Sequence, residues 1–229
     1  MFDLSIITQY YPLFLKGFAF TLLVCAAGIL CGLLWGLFLY ILGQSRFLLF
    51  QISCRWYINV FRGTPLLVQL FLLFYGGPHF GLRLSAIATG IIGLAAYGGA
   101  YFAEIYRAGF QSIPKGQIEA ANDLGFSKLQ IILHIQLPQM LTLILPALTN
   151  QTIIIVKESA ILSIITVPEL TTAAVKVSTS TFSIVEPYLL LAGAYWIIVH
   201  CISKCGMAWE KRQLTSLSPT TQTSANHNV

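Results

Sequence analysis

Gln117-Ile118-Glu119-Ala120-Ala121-Asn122-Asp123-Leu124-Gly125 is a polar island in an otherwise apolar chain. On its C-terminal side runs an uncharged stretch from 129 to 156, and further on a second from 187 to 203. On its N-terminal side lie three more, 84–103, 63–82 and 17–45. A helix crossing a hydrocarbon core of about 30 Å needs about 20 apolar residues, with roughly 17 as the lower bound. Each run meets or touches that requirement. Composition agrees: of 229 residues 56% are hydrophobic and 9% charged, whereas soluble domains are about a quarter charged. The fold class is therefore all-α, a polytopic membrane protein of about five spans, with the polar island between spans three and four.

The net charge of +5 does not point to nucleic acid, because the basic residues are dispersed between apolar runs, where topology signals sit. Arg46, Arg55 and Arg62 fall in one short connection after span one. With Arg107, Lys115 and Lys128 around the polar island, and Lys204, Lys211 and Arg212 near the C-terminus, they predict an N-out, C-in topology. The N-terminus lacks a basic n-region and runs into an apolar stretch longer than a signal h-region, so the first run is expected to stay as a span.

The expected organisation is an amphipathic lead-in over 1–14, a membrane domain over 15–207, and a cytoplasmic tail over 208–229. The tail's Thr/Ser/Asn composition gives it nothing to bury and predicts disorder. Span one covers 15–42 and contains Gly28, Gly32 and Gly36, a repeated small-xxx-small pattern that brings helix backbones close, either within the chain or between subunits. Span two covers about 62–75, with Pro65 in its first turn and Gly76-Gly77-Pro78 closing it. Span three, 85–106, ends on Glu104 and Arg107, which share a helix face at i,i+3. Span four starts near 138–140 and is kinked at Pro146. Residues 161–186 read as outer-side helix and loop, and span five covers 187–207.

Within the polar loop, 110–138, Ser112-Ile113-Pro114 reads as a helix start and Gly125 as a stop in the left-handed conformation. Ser127 and Gln130 match a capping box, with Phe126 and Ile131 as its hydrophobic staple. Two short helices meeting at Gly125 are expected.

No nucleotide-binding, metalloprotease or Ser/His/Asp pattern occurs. The four histidines have no metal-ligand spacing, and five cysteines without a CxxC favour packing. The chain thus shows no chemistry for transducing energy; a transporter of this kind draws it from an ion gradient or a partner.

The pattern Glu119-Ala120-Ala121, three residues, Gly125, nine residues, Ile135-x-Leu137-Pro138 resembles the cytoplasmic coupling loop of ABC-importer permeases. Phe61-Arg62-Gly63-Thr64-Pro65-Leu66-Leu67-Val68-Gln69, Glu104-Ile105-x-Arg107, Pro114-Lys115-Gly116-Gln117 and Lys157-Glu158-Ser159 resemble the polar amino-acid branch of that family, and the likeness extends over about 15–207. It implies a permease subunit in a bacterial inner membrane that binds no cofactor itself. The implied partners are a cytoplasmic ATP-binding subunit, a second permease subunit (the same chain or a different one), an extracytoplasmic substrate-binding protein and the lipid bilayer itself. It also implies that Gln117, Glu119, Ala120, Ala121, Leu124 and Gly125 couple to the ATPase, with Glu104 and Arg107 in support. Such a subunit would pass a polar amino acid such as arginine, glutamine or histidine, without being an enzyme.

Ionisable groups at membrane depth are costly and usually face a cavity. Lys157 and Glu158, with Asn150 and Gln151 one to two turns before them, are accordingly expected to line a translocation path. Neighbouring helical positions point about 100° apart, so Lys157 and Glu158 cannot pair face to face. Two other readings stay open. An ion-coupled carrier predicts charges buried in several spans and an inverted repeat; a structural membrane subunit makes the coupling pattern accidental.

Overall fold

The computed structural model describes residues 4–217. Among them the elements are α1 (Leu4–Gly43), α2 (Leu48–Gly63), α3 (Leu66–Phe71), α4 (Ala86–Gln111), α5 (Lys115–Asp123), α6 (Lys128–Ile131), α7 (Leu137–Glu158), α8 (Leu170–Thr181) and α9 (Val185–Leu217), and no strand. Helices α1, α4, the continuous stretch Lys128–Ile165 and α9 are each long and apolar enough to span a membrane. The pair formed by α2 and the stretch Leu66–Phe80, bent by 108°, supplies the fifth candidate. The protein is a multi-pass helical membrane protein.

Helices α1 and α4 form the central pair, and the glycine stripe explains how. A Cβ on Gly28 would sit 2.8 Å from the Leu94 Cβ, one on Gly32 3.3 Å from the Ala95 carbonyl oxygen, and one on Gly36 2.8 Å from the Gly99 oxygen. The stripe therefore packs inside the chain. Van der Waals contact between backbones is the main adhesive available where lipid is as apolar as the core. Around this seam Val24, Leu94, Phe102, Ile155 and Leu162 are fully buried. Many large apolar side chains point outward instead, among them Leu30, Leu34, Leu189 and Trp196, as an acyl-chain environment requires.

Three boundaries differ from expectation. The residues expected as a separate lead-in are the start of α1, which runs unbroken from Leu4 through Pro12; a proline is tolerated in spanning helices because neighbouring groups re-satisfy the freed backbone. Helix α9 continues past 207 to Leu217, since Glu210, Lys211, Arg212 and Gln213 are good helix formers. The expected disordered tail is thus helical over its first ten residues, 208–217; the rest, 218–229, lies outside the described residues. Arg55 and Arg62 belong to a helix, α2, where a short connection was expected.

The break after α2 has a local cause. Pro65 has no N–H, so the Phe61 carbonyl loses its i+4 donor. Gln69 supplies one: its Nε2 donates to the Phe61 carbonyl at 2.9 Å, the Thr64 carbonyl at 3.1 Å and the Thr64 hydroxyl at 2.9 Å. Pro65 sits at the N-cap of α3, just ahead of the first turn.

Residues 159–181 fold back on the bundle. A 3-10 segment, Ser159–Ile165, ends on Thr166 in the left-handed region, and α8 packs its Leu170, Ala173, Ala174 and Val177 inward. Glu169 caps α8, accepting from the Thr171 and Thr172 amides at 2.8 Å each and from the Tyr195 hydroxyl at 3.2 Å. Burial pushes this carboxyl above the ordinary carboxylate range, partly offset by those donors. A raised carboxyl pKa means the native state holds the proton more tightly than the unfolded chain. Its linkage stability is therefore complete below the unfolded value of about 4.3 and is lost as pH rises through the folded value. Glu169→Ala should cost about 2 kcal/mol by removing the cap and the hydrogen bond from the Tyr195 hydroxyl. Glu169→Gln should flatten that acid-side slope, as read by thermal unfolding in detergent across pH 4–8.

Candidate functional site

Two regions bear the residues singled out from the sequence. The first is the hairpin of α5 and α6. Pro114 stands at the N-cap of α5, where its missing N–H costs nothing. The far end closes as a Schellman motif: the Gly125 N–H donates to the Asn122 carbonyl at 2.9 Å and the Phe126 N–H to the Ala121 carbonyl at 3.0 Å. Gly125 has φ +81°, the region that glycine enters at no steric cost. The capping box at Ser127 is complete, with the Ser127 N–H donating to Gln130 Oε1 at 2.8 Å and the Gln130 N–H to Ser127 Oγ at 3.4 Å.

The second short helix is not free-standing, however. From Lys128 the chain continues through a π-turn, Ile132–Gln136, into α7, so span four begins about ten residues earlier than expected. The π-turn accommodates Pro138: the Leu137 N–H reaches back to the Ile132 carbonyl, absorbing one residue before the ring interrupts the ladder. Helix α6 is thus rigidly joined to the span. Gln139 adds a strut, its Nε2 donating to Gln117 Oε1 at 2.8 Å and to the Ile135 carbonyl at 2.9 Å.

Glu119 and Ala120 are exposed, and Leu124 is 78% exposed at the tip. Ala121 is 4% exposed and faces inward, so it is a packing residue of the hairpin, and the accessible face is formed by its neighbours.

The second region is a cleft of about 620 Å³ between the end of α2, the last turns of α4 and the middle of α7. Glu104 is its centre. Arg107 donates to it twice, at 2.7 and 3.0 Å, and to Gln111 at 2.8 Å; Arg62 approaches it at 3.5 Å with its guanidinium 5.3 Å from the Tyr101 ring centroid. Asn150 and Gln151 line the opposite wall. Gln151 is 5% exposed and its Nε2 has no partner. An unpaired buried amide costs about 1–3 kcal/mol, a cost that turning the Gln151 side chain toward a partner in the cleft would relieve.

Lys157 and Glu158 do not line this cleft. They lie ~9 Å farther along the axis from Gln151, Lys157 exposed and Glu158 half-buried. As their spacing requires, they do not pair with each other; the ion pairs of the cleft are those of Glu104 with Arg62 and Arg107. Arg62, Tyr101 and Gln139 are the site residues that sequence reasoning missed. Arg62 could have been found in the Arg62-Gly63-Thr64-Pro65 run, because a break there turns a helix end, and its last cation, toward the bundle.

Residues 28–204 match the family described as binding-protein-dependent transport system inner membrane component. The chain belongs to this family. Among its relatives, the probable amino-acid ABC transporter permease protein YckA of Bacillus subtilis (strain 168) is 36% identical over 198 residues, 86% of this chain and 88% of the relative. The arginine transport system permease protein ArtQ of the same strain is 32% identical over 92% of this chain and 96% of its own. A solved amino acid ABC transporter with histidines is 37% identical, with a TM-score of 0.87 over 93% of this chain and 99% of its own. The inward-facing MetNI methionine ABC transporter, at 20% identity and a TM-score of 0.68, shares the fold. Membership identifies the chain as a transporter permease and implies an ATPase partner and a second permease subunit.

Proposed function

We propose that this chain is the permease subunit of an ATP-driven importer for a polar amino acid, lying in a bacterial inner membrane with its N-terminus outside and its C-terminus inside. The observation that supports this most is the α5 hairpin: exposed on its Glu119, Ala120 and Leu124 face, capped on both sides of its turn, and joined without a flexible link to span four. A docked ATPase subunit moving α5 would therefore move α7, with the Gln117–Gln139 bond and Gly125 holding the hairpin's angle. Glu104 and Arg107, with Arg62, tie α4 to the broken span and would transmit that motion sideways. The chain's part in the cycle is mechanical, with nucleotide bound by the partner and substrate delivered by an extracytoplasmic binding protein.

In this reading the cleft is the inner part of the path. A zwitterionic amino acid offers a carboxylate to Arg62 and the Gln151 amide, and an ammonium group to Glu104 and the Asn150 carbonyl. Lys157 and Glu158 would be met at its outer end. Uptake of labelled amino acids into proteoliposomes holding the complete complex tests both parts. Gln151→Leu is expected to lower uptake at least tenfold, equivalent to about 1.4 kcal/mol, with assembly intact; Lys157→Met and Glu158→Gln should lower it less. Unchanged uptake of every amino acid tried would remove those residues from the path. Uptake driven by an ion gradient without ATP would instead favour a secondary carrier.

A further inference from the structure

A second cleft, of about 540 Å³, lies on the other side of Glu104 and Arg107, between the last turns of α1 and α4 and the first turns of α2. It is on the side of the bundle where α4 runs into α5, since Gly43 and Gln111, the last residues of α1 and α4, both line it. Its inner surface is polar. Gln51, Arg55 and Asn59 line it from α2, and their spacing of four places them in one stripe on the helix. Gln44, just past the end of α1, and Arg107, on α4, face them.

The charges do not cancel. Glu104 is engaged by Arg107 and Arg62, and Arg55 makes no ion pair among the described residues. The Gln51 amide already donates to the Ser45 carbonyl at 2.8 Å. Arg55 and Arg107 against Glu104 leave one net positive charge lining the cleft, with the Gln44 and Asn59 amides beside it. That donor set suits the oxygens of a phosphate group.

Immediately next to the polar stripe on α2 runs an apolar one. Leu48, Ile52 and Trp56 follow the same spacing of four and are 67%, 42% and 68% exposed. Phe47 and Leu49, at 69% and 72%, widen it. An exposed apolar stripe holding a tryptophan, bordered by a cationic polar stripe, is the pattern of a helix at the membrane–water boundary. A free phosphate would use the polar stripe alone. A lipid would use both, its headgroup over Arg55 and an acyl chain along Leu48, Ile52 and Trp56.

We infer that this cleft binds the phosphate headgroup of an anionic phospholipid, held by Arg55 and Arg107 with the amides of Gln44 and Asn59. The site is independent of the transported substrate. It places an anionic lipid against Arg107, the residue that also holds Glu104 on the transport side.

The test is native mass spectrometry of the full chain in its complex, counting phosphatidylglycerol retained after exchange from phosphatidylcholine. The wild type should retain phosphatidylglycerol, and Arg55→Gln should lower its retention roughly fivefold, the effect of one surface cation. Trp56→Ala should lower it too, Arg55→Lys should keep most of it, and Arg46→Gln, outside the cleft, should change nothing. Millimolar inorganic phosphate should not displace the lipid. Equal retention by wild type and Arg55→Gln overturns the site. Equal losses in Arg46→Gln and Arg55→Gln reduce it to diffuse surface charge. Displacement by inorganic phosphate, or a stripe buried by a second copy of the chain with no lipid retained, overturns the lipid assignment.

Discussion

Replacing Gly36 with valine should remove nearly all folded protein from the membrane, the largest effect expected of any single substitution here. A Cβ at this position would stand 2.7 Å from the Phe102 Cβ, 2.8 Å from the Gly99 carbonyl oxygen and 3.0 Å from the Ala103 amide nitrogen. Two of those neighbours are backbone atoms of a helix and cannot step aside, so α1 and α4 must separate. Overpacking usually costs about 1–3 kcal/mol where side chains can adjust; here the whole seam opens, and a cost above that range is expected. Phe102, which is fully buried, would lose its packing, and Glu104, two residues on, would lose its register with Arg62. Gly193 is the control, because a Cβ there meets nothing within 4 Å, so Gly193→Val should express and assemble normally. Fluorescence-detected size exclusion of tagged protein reads both. A monodisperse peak for Gly36→Val at wild-type yield would show that the seam can slide, contrary to the packing described.

That seam was half legible. The four-residue recurrence of Gly28, Gly32 and Gly36 announces a close helix contact, yet the partner is not written in the stripe. It becomes evident only once α4 presents Leu94, Ala95 and Gly99 opposite it. The spans themselves were readable because charge is too costly in lipid to interrupt them, and the uncharged runs locate four of the five well. Helix α2 was not, because Arg55 and Arg62 look like a loop's topology signal. The amphipathic stripes at 48, 52, 56 and 51, 55, 59 were present but hidden by that reading. Similarly, Pro138 looks like the start of a span, whereas a π-turn lets helix run through it from Lys128.

Asn150 and Gln151 were expected to face a polar space together with Lys157 and Glu158. That the space is shared instead with Glu104 and Arg107 was not legible, because nothing in the sequence brings the end of α4 against the middle of α7. Lys157 and Glu158 were drawn into the same group on charge alone, and the distance along α7 separates them. Ala121 illustrates a different limit. Three small or polar residues in a row cannot all face a partner when successive helical positions turn by about 100°. One had to point inward, and only the hairpin's closure against α6 shows which.

Converting Leu124 to glutamate should uncouple the complex while leaving the permease folded. Leu124 caps α5 with its N–H on the Ala120 carbonyl at 3.1 Å, a backbone bond that any side chain keeps, and its own side chain is 78% exposed. The isolated subunit gains nothing from that exposure; a docked partner would. Burying a glutamate in place of an apolar anchor at such a contact is worth about 2 kcal/mol or more, so ATPase co-purification should fall about thirtyfold, and ATP-driven uptake with it. Gly125→Pro should reach the same endpoint by another route. The ring fixes φ near −65° where the turn needs +81°, and it deletes the Gly125 N–H bond to Asn122. The hairpin then opens and swings Glu119 and Ala120 away from their positions. The two variants differ in what they do to the free subunit. Leu124→Glu should keep the wild-type protease pattern of the 110–138 loop, and Gly125→Pro should create new cleavage there. Normal co-purification and uptake for both would mean that energy enters the permease somewhere other than this hairpin. Loss in Gly125→Pro alone would mean that the hairpin's angle matters and its apolar tip does not.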